Sequence, residues 1–105
     1  MKHIKKKINP SRKGDMAEYY AVTWLWDQGY EVFQNSGCSG PVDMLVMDNK
    51  GDITLIDVKT AHVYDEKKPV HLKHIRNEKQ IKLGVKILAF NPVTRKLKFV
   101  EHEDV

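Results

Sequence analysis

A tight turn between two apolar runs constrains this chain more than any other feature of its sequence. The turn is DNKGD, residues 48–52, and it separates MLVM from ITLI. Its composition fits a three-residue β-hairpin loop, in which a type I turn is followed by Gly51 in the left-handed conformation. Such a loop pairs Asp48 with Asp52, so residues whose numbers sum to 100 face one another. A two-residue Lys50-Gly51 loop would shift this register by one residue.

The predicted register brings charged residues together at the open end of the hairpin. Leu45 faces Leu55, and two residues further along Asp43 faces Asp57. Because strand side chains alternate between faces, Asp57 and Lys59 share a face and lie roughly 7 Å apart. The three-residue turn therefore predicts one cluster of Asp43, Asp57 and Lys59, whereas the shifted register would put the two aspartates on opposite faces.

Two facing carboxylates repel each other, and half-buried carboxylates are costly unless something pairs with them. A divalent cation would remove both difficulties. Mg²⁺ takes hard oxygen ligands and needs only one or two protein carboxylates plus a phosphate oxygen, and Mn²⁺ can substitute. Lys59 could then orient or help deprotonate an attacking water and stabilise charge on a phosphate. The alternative is a simple salt bridge from Lys59 to Asp57 or Asp43 on an exposed sheet face.

The rest of the pattern predicts an α/β domain with a central mixed sheet and the element order α-β-β-β-α-β-β. Helical periodicity covers residues 13–28, and a second helix is expected over residues 73–83, ended by Gly84. Strands other than the hairpin are expected at residues 30–33, 85–90 and, on an edge, 95–100. A chain of 105 residues is expected to be a single domain, with residues 1–12 as a basic, flexible arm.

Basic residues fall in two blocks of this chain, whose net charge is +4. Such clusters attract polyanions through counterion release, although either block alone could be a solvated surface. Together they favour nucleic acid as the partner. The candidate contacts are Lys5, Lys6, Lys7, Ser11, Arg12, Lys13, Lys73, Arg76 and Lys79. Ser11 could instead cap the first helix.

Several classes of protein and site are disfavoured by the sequence. No apolar run approaches the roughly 20 residues that span a bilayer, and the basic N-terminus lacks the apolar segment of a secretory signal. Cys38 is the single cysteine, so a cytoplasmic location is expected, the host cytoplasm if the protein is viral. Cys38, His62, His71 and His74 match no zinc-binding spacing, and no small-molecule cofactor or membrane partner is expected.

Four short segments resemble those of one nuclease superfamily. PVD at residues 41–43 and IDVK at residues 56–59 resemble the PD-(D/E)xK signature, with Val42 inserted between proline and aspartate. RKGDMAE at residues 12–18 is similar to the first helix of archaeal and phage Holliday-junction resolvases. KQIKLG at residues 79–84 resembles the helix that follows the motif in this family. The resemblance covers nearly the whole chain and implies a restriction-endonuclease-like core.

The resemblance implies a Mg²⁺-dependent endonuclease that hydrolyses DNA phosphodiester bonds and leaves 5′-phosphate ends. A four-way junction would be its substrate, and a homodimer with two sites would suit cutting paired strands. The roles that it assigns are metal ligands at Glu18, Asp43, Asp57 and the Val58 carbonyl, a catalytic Lys59, and an accessory Gln80. The alternatives are a homing, restriction or repair endonuclease of the same fold, or a nucleic-acid-binding module without catalysis.

Two features of the first helix leave alternatives open. Glu18 completes a D-x-x-E capping box with Asp15, but it shares a stripe with Val22, which favours an inward, metal-binding role. Trp24 and Trp26 cannot both face the sheet, so one of them is expected to be exposed, as at an interface.

Overall fold

The computed structural model describes residues 9–37, 39–61 and 76–101. The elements in chain order are α1 (Pro10–Asp27), β1 (Glu31–Gln34), β2 (Met44–Met47), β3 (Ile53–Thr60), α2 (Glu78–Leu83), β4 (Lys86–Phe90) and β5 (Leu97–Phe99). This order confirms the predicted α-β-β-β-α-β-β arrangement. The predicted contacts Lys5, Lys6, Lys7 and Lys73 lie outside the described residues, as do Cys38, His62, His71 and His74.

The strands form one five-stranded sheet in the order β1-β2-β3-β4-β5. Strands β3 and β4 are parallel, and the other neighbouring pairs are antiparallel. A parallel pair requires a crossover connection, and α2 lies within the chain segment that joins β3 to β4. The predicted mixed sheet, with β5 on an edge, is therefore confirmed.

The hairpin between β2 and β3 has the register predicted from its turn. Leu45 pairs with Leu55, and the Asp48 N–H donates to the Asp52 carbonyl at 3.0 Å. The Gly51 N–H donates to the Asp48 carbonyl at 3.1 Å, and Gly51 has a φ of 86°. That left-handed conformation favours glycine, so this local chemistry fixes the three-residue loop and excludes the two-residue one.

Helix α1 begins three residues before the predicted start. Asn9 is its N-cap and accepts a 2.9 Å hydrogen bond from the Arg12 N–H. Pro10 follows at the first helical position, where its fixed φ suits a helix and its missing N–H costs nothing. Residues 10–12 therefore belong to α1 rather than to the basic arm. The alternatives in which Ser11 or Asp15 caps the helix are excluded, because both residues lie inside it.

One face of the sheet packs against α1 and forms the hydrophobic core. Its buried members are Ala21, Val22, Leu25, Met44, Val46, Ile56 and Leu88. Trp24 packs at the margin of this core, with its ring 5.8 Å from that of Phe99, whereas Trp26 is 61% exposed. The prediction that one tryptophan is exposed is confirmed. Within the three described ranges, no helix is long and apolar enough to cross a bilayer.

Helix α2 is shorter than predicted at its N-terminal end. Asn77 caps it, and its side chain accepts a hydrogen bond from the Gln80 N–H, while the Gln80 side chain accepts one from the Asn77 N–H. Residues 76 and 77 therefore precede the helix instead of lying within it. The C-terminal end is as predicted, with Gly84 as the cap in the left-handed conformation.

Candidate active site

The regular pairing of β2 with β3 ends at Met44 and Ile56, and Asp43 lies directly beyond it. The Asp43 N–H donates to the carbonyl of Ile56, the partner of Met44, at 2.9 Å. The chain before β2 is therefore offset by one residue relative to β3. The predicted ladder pair of Asp43 with Asp57 is therefore not formed. Instead, Asp43 Oδ2 accepts a 2.7 Å hydrogen bond from the Val58 N–H. The carboxylate thus provides the acceptor for a β3 amide at the point where β2 has left the ladder.

Asp43 and Asp57 nonetheless come together through their side chains. The pKa of Asp43 is raised to about 7, first by burial and then by a hydrogen bond between its carboxyl group and that of Asp57. The negative charges of Asp57 and Glu18 raise it further, and the Val58 N–H acts in the opposite direction. The two carboxyl groups form the carboxylate pair of this site, and the predicted proximity is confirmed.

Asp57 is 8% exposed and forms an ion pair with Lys59. Lys59 Nζ lies 3.0 Å from Asp57 Oδ2. Oδ2 is buried and accepts no hydrogen bond from the described residues, so the ion pair with Lys59 is what offsets its charge. The salt bridge that the sequence allowed as an alternative is therefore present. A carboxylate has further lone pairs, so Asp57 can accept another donor or bind a cation while Lys59 stays beside it.

Glu18 projects from α1 within electrostatic range of the carboxylate pair. It is half-buried, and its pKa is raised by burial, then by the charge of Asp15 and then by that of Asp57. Among the described residues, no three histidine, cysteine or acidic side chains form a group that could hold a metal ion. The arrangement is therefore a pair of carboxylates with a third acid at longer range.

The Val58 carbonyl is directed toward the same edge of β3 as Asp43. The N–H and C=O groups of one strand residue point to the same side of the strand, because paired residues exchange both bonds. The Val58 N–H points to the Asp43 carboxylate, so its carbonyl is directed to that side as well. All candidate ligands are thus oxygens, the donor set that Mg²⁺ prefers.

Gln80 contacts the loop before Asp43. It is 5% exposed, and its Nε2 donates to the Pro41 carbonyl at 2.9 Å. Its Oε1 accepts from the Asn77 N–H at 3.0 Å. Both ends of the amide are therefore engaged within the protein, which differs from the accessory role predicted beside the carboxylates.

The candidate DNA contacts that the structure describes have different surroundings. Ser11, Arg12 and Lys13 are exposed on the first turn of α1, and Lys79 is exposed on α2. Arg76 is half-buried and its Nη1 donates to the Val85 carbonyl at 3.4 Å. Arg76 is thus held against the protein, whereas the other four side chains are accessible to a polyanion.

Sequence reasoning missed Asn35, which follows β1 directly. Its Nδ2 donates to the Ser39 carbonyl at 2.7 Å and to the Val42 carbonyl at 3.0 Å. Its backbone N–H donates to the Asp43 carbonyl at 2.9 Å. The only signal was an asparagine in a loop rich in Gly and Ser, where side chains commonly bond to nearby backbone.

The fold resembles that of a solved nuclease. No family model and no curated protein matches the chain. Among solved structures, a bacterial homing endonuclease, I-Ssp6803I, aligns with a TM-score of 0.70 and 14% identity, over 89% of this chain and 69% of that chain. The two chains share a fold. The predicted α/β architecture is confirmed by this likeness, which at such low identity concerns the fold alone.

Proposed function

We propose that this protein is a metal-dependent DNA endonuclease, and that its substrate is branched DNA such as a four-way junction. The observation that carries the proposal is the carboxylate pair with Lys59 Nζ 3.0 Å from Asp57 Oδ2, formed at the end of a hairpin. The likeness to a homing endonuclease supports a nuclease with this fold. The resemblance of residues 12–18 to junction resolvases supports the choice of substrate.

Asp43 and Asp57 would hold the divalent cation, with the Val58 carbonyl as a further oxygen ligand and Glu18 as a third acid at longer range. A bound Mg²⁺ would supply Lewis-acid stabilisation of the phosphate and lower the pKa of a coordinated water. The residues fit this ion for two reasons found in the structure. Asp57 Oδ2 is buried and is offset by the ion pair with Lys59 rather than by a hydrogen bond from the described residues. Burial and the neighbouring acids raise the pKa of Asp43, and a bound cation would offset the charge that they disfavour.

Lys59 would act on the scissile phosphate. Its side chain is 32% exposed, so its ammonium group can reach DNA at the surface while it stays beside Asp57. A positive charge fixed there stabilises the charge that develops on the phosphate oxygens, and an ammonium donor can also orient the attacking water. Competition between Asp57 and the phosphate for Lys59 would be relieved when a cation neutralises the carboxylate.

Exposed aromatic residues support a homodimer with two such sites. Tyr19 is 71% exposed and Trp26 is 61% exposed on α1, and Phe33 on β1 is 53% exposed. Large exposed aromatics are typical of protein interfaces, and a two-fold dimer presents two sites to two strands. Sedimentation equilibrium of the wild type against Trp26→Lys measures this association, with Lys50→Gln as a control in the hairpin loop.

A homing-type endonuclease that reads linear sequence is the second candidate, favoured by the fold likeness to I-Ssp6803I. The deciding experiment compares cleavage of a synthetic four-way junction with that of a linear duplex of the same sequence and with a random linear library, in Mg²⁺. Preferential cleavage of the junction supports our proposal. Cleavage at one linear sequence supports the second candidate, and binding without cleavage in Mg²⁺ or Mn²⁺ indicates a binding module.

A further inference from the structure

Two amide side chains hold the short segment that leads into Asp43. The Pro41 carbonyl accepts from Gln80 Nε2 at 2.9 Å, and the Val42 carbonyl accepts from Asn35 Nδ2 at 3.0 Å. The Asp43 carbonyl accepts from the Asn35 N–H at 2.9 Å. Three consecutive carbonyls, none of them in a regular strand, are therefore occupied by two residues that come from the end of β1 and from α2.

Each amide is itself fixed by a hydrogen bond at its oxygen. Gln80 Oε1 accepts from the Asn77 N–H at 3.0 Å, and Asn35 Oδ1 accepts from the Gly37 N–H at 3.0 Å. The amide nitrogens therefore point at the loop carbonyls and cannot exchange places with the oxygens without losing a bond at each end. Asn35 Nδ2 also donates to the Ser39 carbonyl at 2.7 Å. We call Asn35 and Gln80 together the clamp. Both residues must be amides, because an ionised carboxylate could only accept a hydrogen bond and could not donate to the loop carbonyls.

We propose that Asn35 and Gln80 are positioning residues for the carboxylate pair, an inference that rests on the proposed nuclease function. By fixing the backbone from Pro41 to Asp43, they set where the Asp43 carboxylate meets the Val58 N–H and Asp57. A displacement of about 1 Å in a reacting group can cost on the order of 10²-fold in rate. Supporting residues of this kind therefore determine how well a site works without touching substrate.

The two residues are expected to contribute unequally. Gln80 is 5% exposed, so water cannot replace its bond to the Pro41 carbonyl without reorganising the loop. Asn35 is exposed, and water can take over part of its role because the freed carbonyls lie near solvent. Loss of the Gln80 donor should therefore reduce the rate more than loss of the Asn35 side-chain donor.

The test uses the full chain with amide-to-acid variants. Gln80→Glu keeps the acceptor for the Asn77 N–H, and with it the cap of α2, but loses the donor to the Pro41 carbonyl. Asn35→Asp keeps the acceptor for the Gly37 N–H and loses both side-chain donors. Gln28→Glu and Asn49→Asp make the same chemical changes at exposed positions outside the clamp. Gln80→Met removes the donor without adding a charge.

Two readouts are measured for each variant. The first is kcat and KM for whichever DNA the wild type cleaves in Mg²⁺. The second is hydrogen exchange of the Val58 amide by NMR, which reports on the Asp43 carboxylate without catalysis. We expect kcat to fall on the order of 10²-fold in Gln80→Glu and Gln80→Met and about 10-fold in Asn35→Asp. KM should be unchanged, the Val58 amide should exchange faster, and both controls should behave as wild type.

An unchanged Val58 amide in both Gln80 variants would overturn the inference, as would loss of kcat that merely follows global unfolding. If wild type cleaves no DNA, the proposed function fails, but the Val58 amide still tests the clamp. Faster exchange of that amide in the Gln80 variants, with the controls unaffected, would then support the positioning of Asp43 by the clamp independently of any nuclease activity.

Discussion

The Asp43 carboxylate accepts a 2.7 Å hydrogen bond from the backbone N–H of Val58, the residue between Asp57 and Lys59 in the chain. This bond takes the place of a strand-to-strand bond at the end of the β2–β3 hairpin. It turns the Asp43 side chain toward β3, where the Asp57 carboxyl lies. The pairing of Asp43 with Asp57 therefore depends on the Asp43 carboxylate accepting a bond that a backbone carbonyl would otherwise accept. The raised pKa of Asp43 follows from its burial beside Asp57.

Removing one charge from the carboxylate pair should separate cleavage from binding. We expect Asp43→Asn and Asp57→Asn to abolish Mg²⁺-dependent cleavage, because each removes a carboxylate proposed to hold the cation. DNA affinity should be retained or increased, since one negative charge near the phosphates is gone. Cleavage assays and binding by fluorescence anisotropy in Ca²⁺ check both parts. Asp27→Asn is a matched control at an exposed position, and full activity in either site variant would contradict the assignment.

Metal binding should also be visible as thermal stabilisation without DNA. A ligand that binds only the folded state raises its stability by mass action, so Mg²⁺ at millimolar concentration should raise the Tm of the wild type. The increase should be absent in Asp57→Asn and unaffected in Asp27→Asn. Differential scanning calorimetry with and without EDTA measures it. An equal increase in all three proteins would mean that the cation binds elsewhere.

Without a divalent cation, stability should fall as the pH rises through the range in which Asp43 titrates. Its pKa is raised from 3.8 to about 7, so between these values the folded chain binds more protons than the unfolded chain. The free energy of unfolding therefore decreases from about pH 4 to about pH 7. Urea unfolding in EDTA at several pH values measures the slope.

Asp43→Asn provides the comparison for this pH dependence. The amide oxygen can still accept from the Val58 N–H, but the titrating group and its charge are gone. The variant should show a flatter profile over the same window and should be more stable than wild type near pH 7. A wild-type slope that persists unchanged in Asp43→Asn would assign it to another group.

Lys59→Ala distinguishes the proposed role of the lysine from that of a salt bridge. If Lys59 stabilises charge on the phosphate, its removal should lower kcat on the order of 10²-fold or more. Mg²⁺ affinity should change little, because the carboxylates remain. Single-turnover cleavage at saturating DNA measures the chemical step, and Lys86→Ala is an exposed control on β4. Unchanged turnover would leave the ion pair with Asp57 as the only role of Lys59.

The parts of the fold predictable from sequence are those set by neighbouring residues. The DNKGD turn fixes the hairpin register by local chemistry, so the sequence alone predicts that Asp57 and Lys59 share a face and that Asp43 lies near them. The exact pairing of Asp43 with Asp57 is not predicted correctly, because the backbone is offset at Asp43. The predicted start of α1 is wrong because Pro10 acts as a first helical residue and not as a barrier to an early helix. Proline is favoured at the first position of a helix and disrupts later ones. The start of α1 can therefore be predicted only if Asn9 is recognised as the cap, which puts Pro10 at that first position.

The supporting contacts of the site cannot be derived in this way. Gln80 and Pro41 are 39 residues apart, and their hydrogen bond depends on how α2 packs after the parallel crossover. The one-residue offset at Asp43 likewise depends on where β2 leaves the sheet. Periodicity and turn chemistry carry no information about either contact, which explains why the acids are predictable and their supports are not.

The lysines of the basic arm are predicted to contribute to DNA affinity through their positive charge. Deleting residues 2–8 removes four lysines, at positions 2, 5, 6 and 7, and leaves Asn9 in place to cap α1. If these lysines contact the DNA backbone, affinity should fall alike for junction and linear duplex. The slope of log K against log[salt] should become shallower by up to about 0.9 per lost phosphate contact.

A matched variant separates charge from chain length. Changing the same four lysines to glutamine keeps the segment and should reproduce the loss of affinity and the shallower salt slope. The Tm of both variants should stay close to that of the wild type, because the α1 cap at Asn9 and the core are preserved. An unchanged salt slope in both variants would show that the arm does not bind DNA. The contact would then be assigned to the exposed residues Arg12, Lys13 and Lys79.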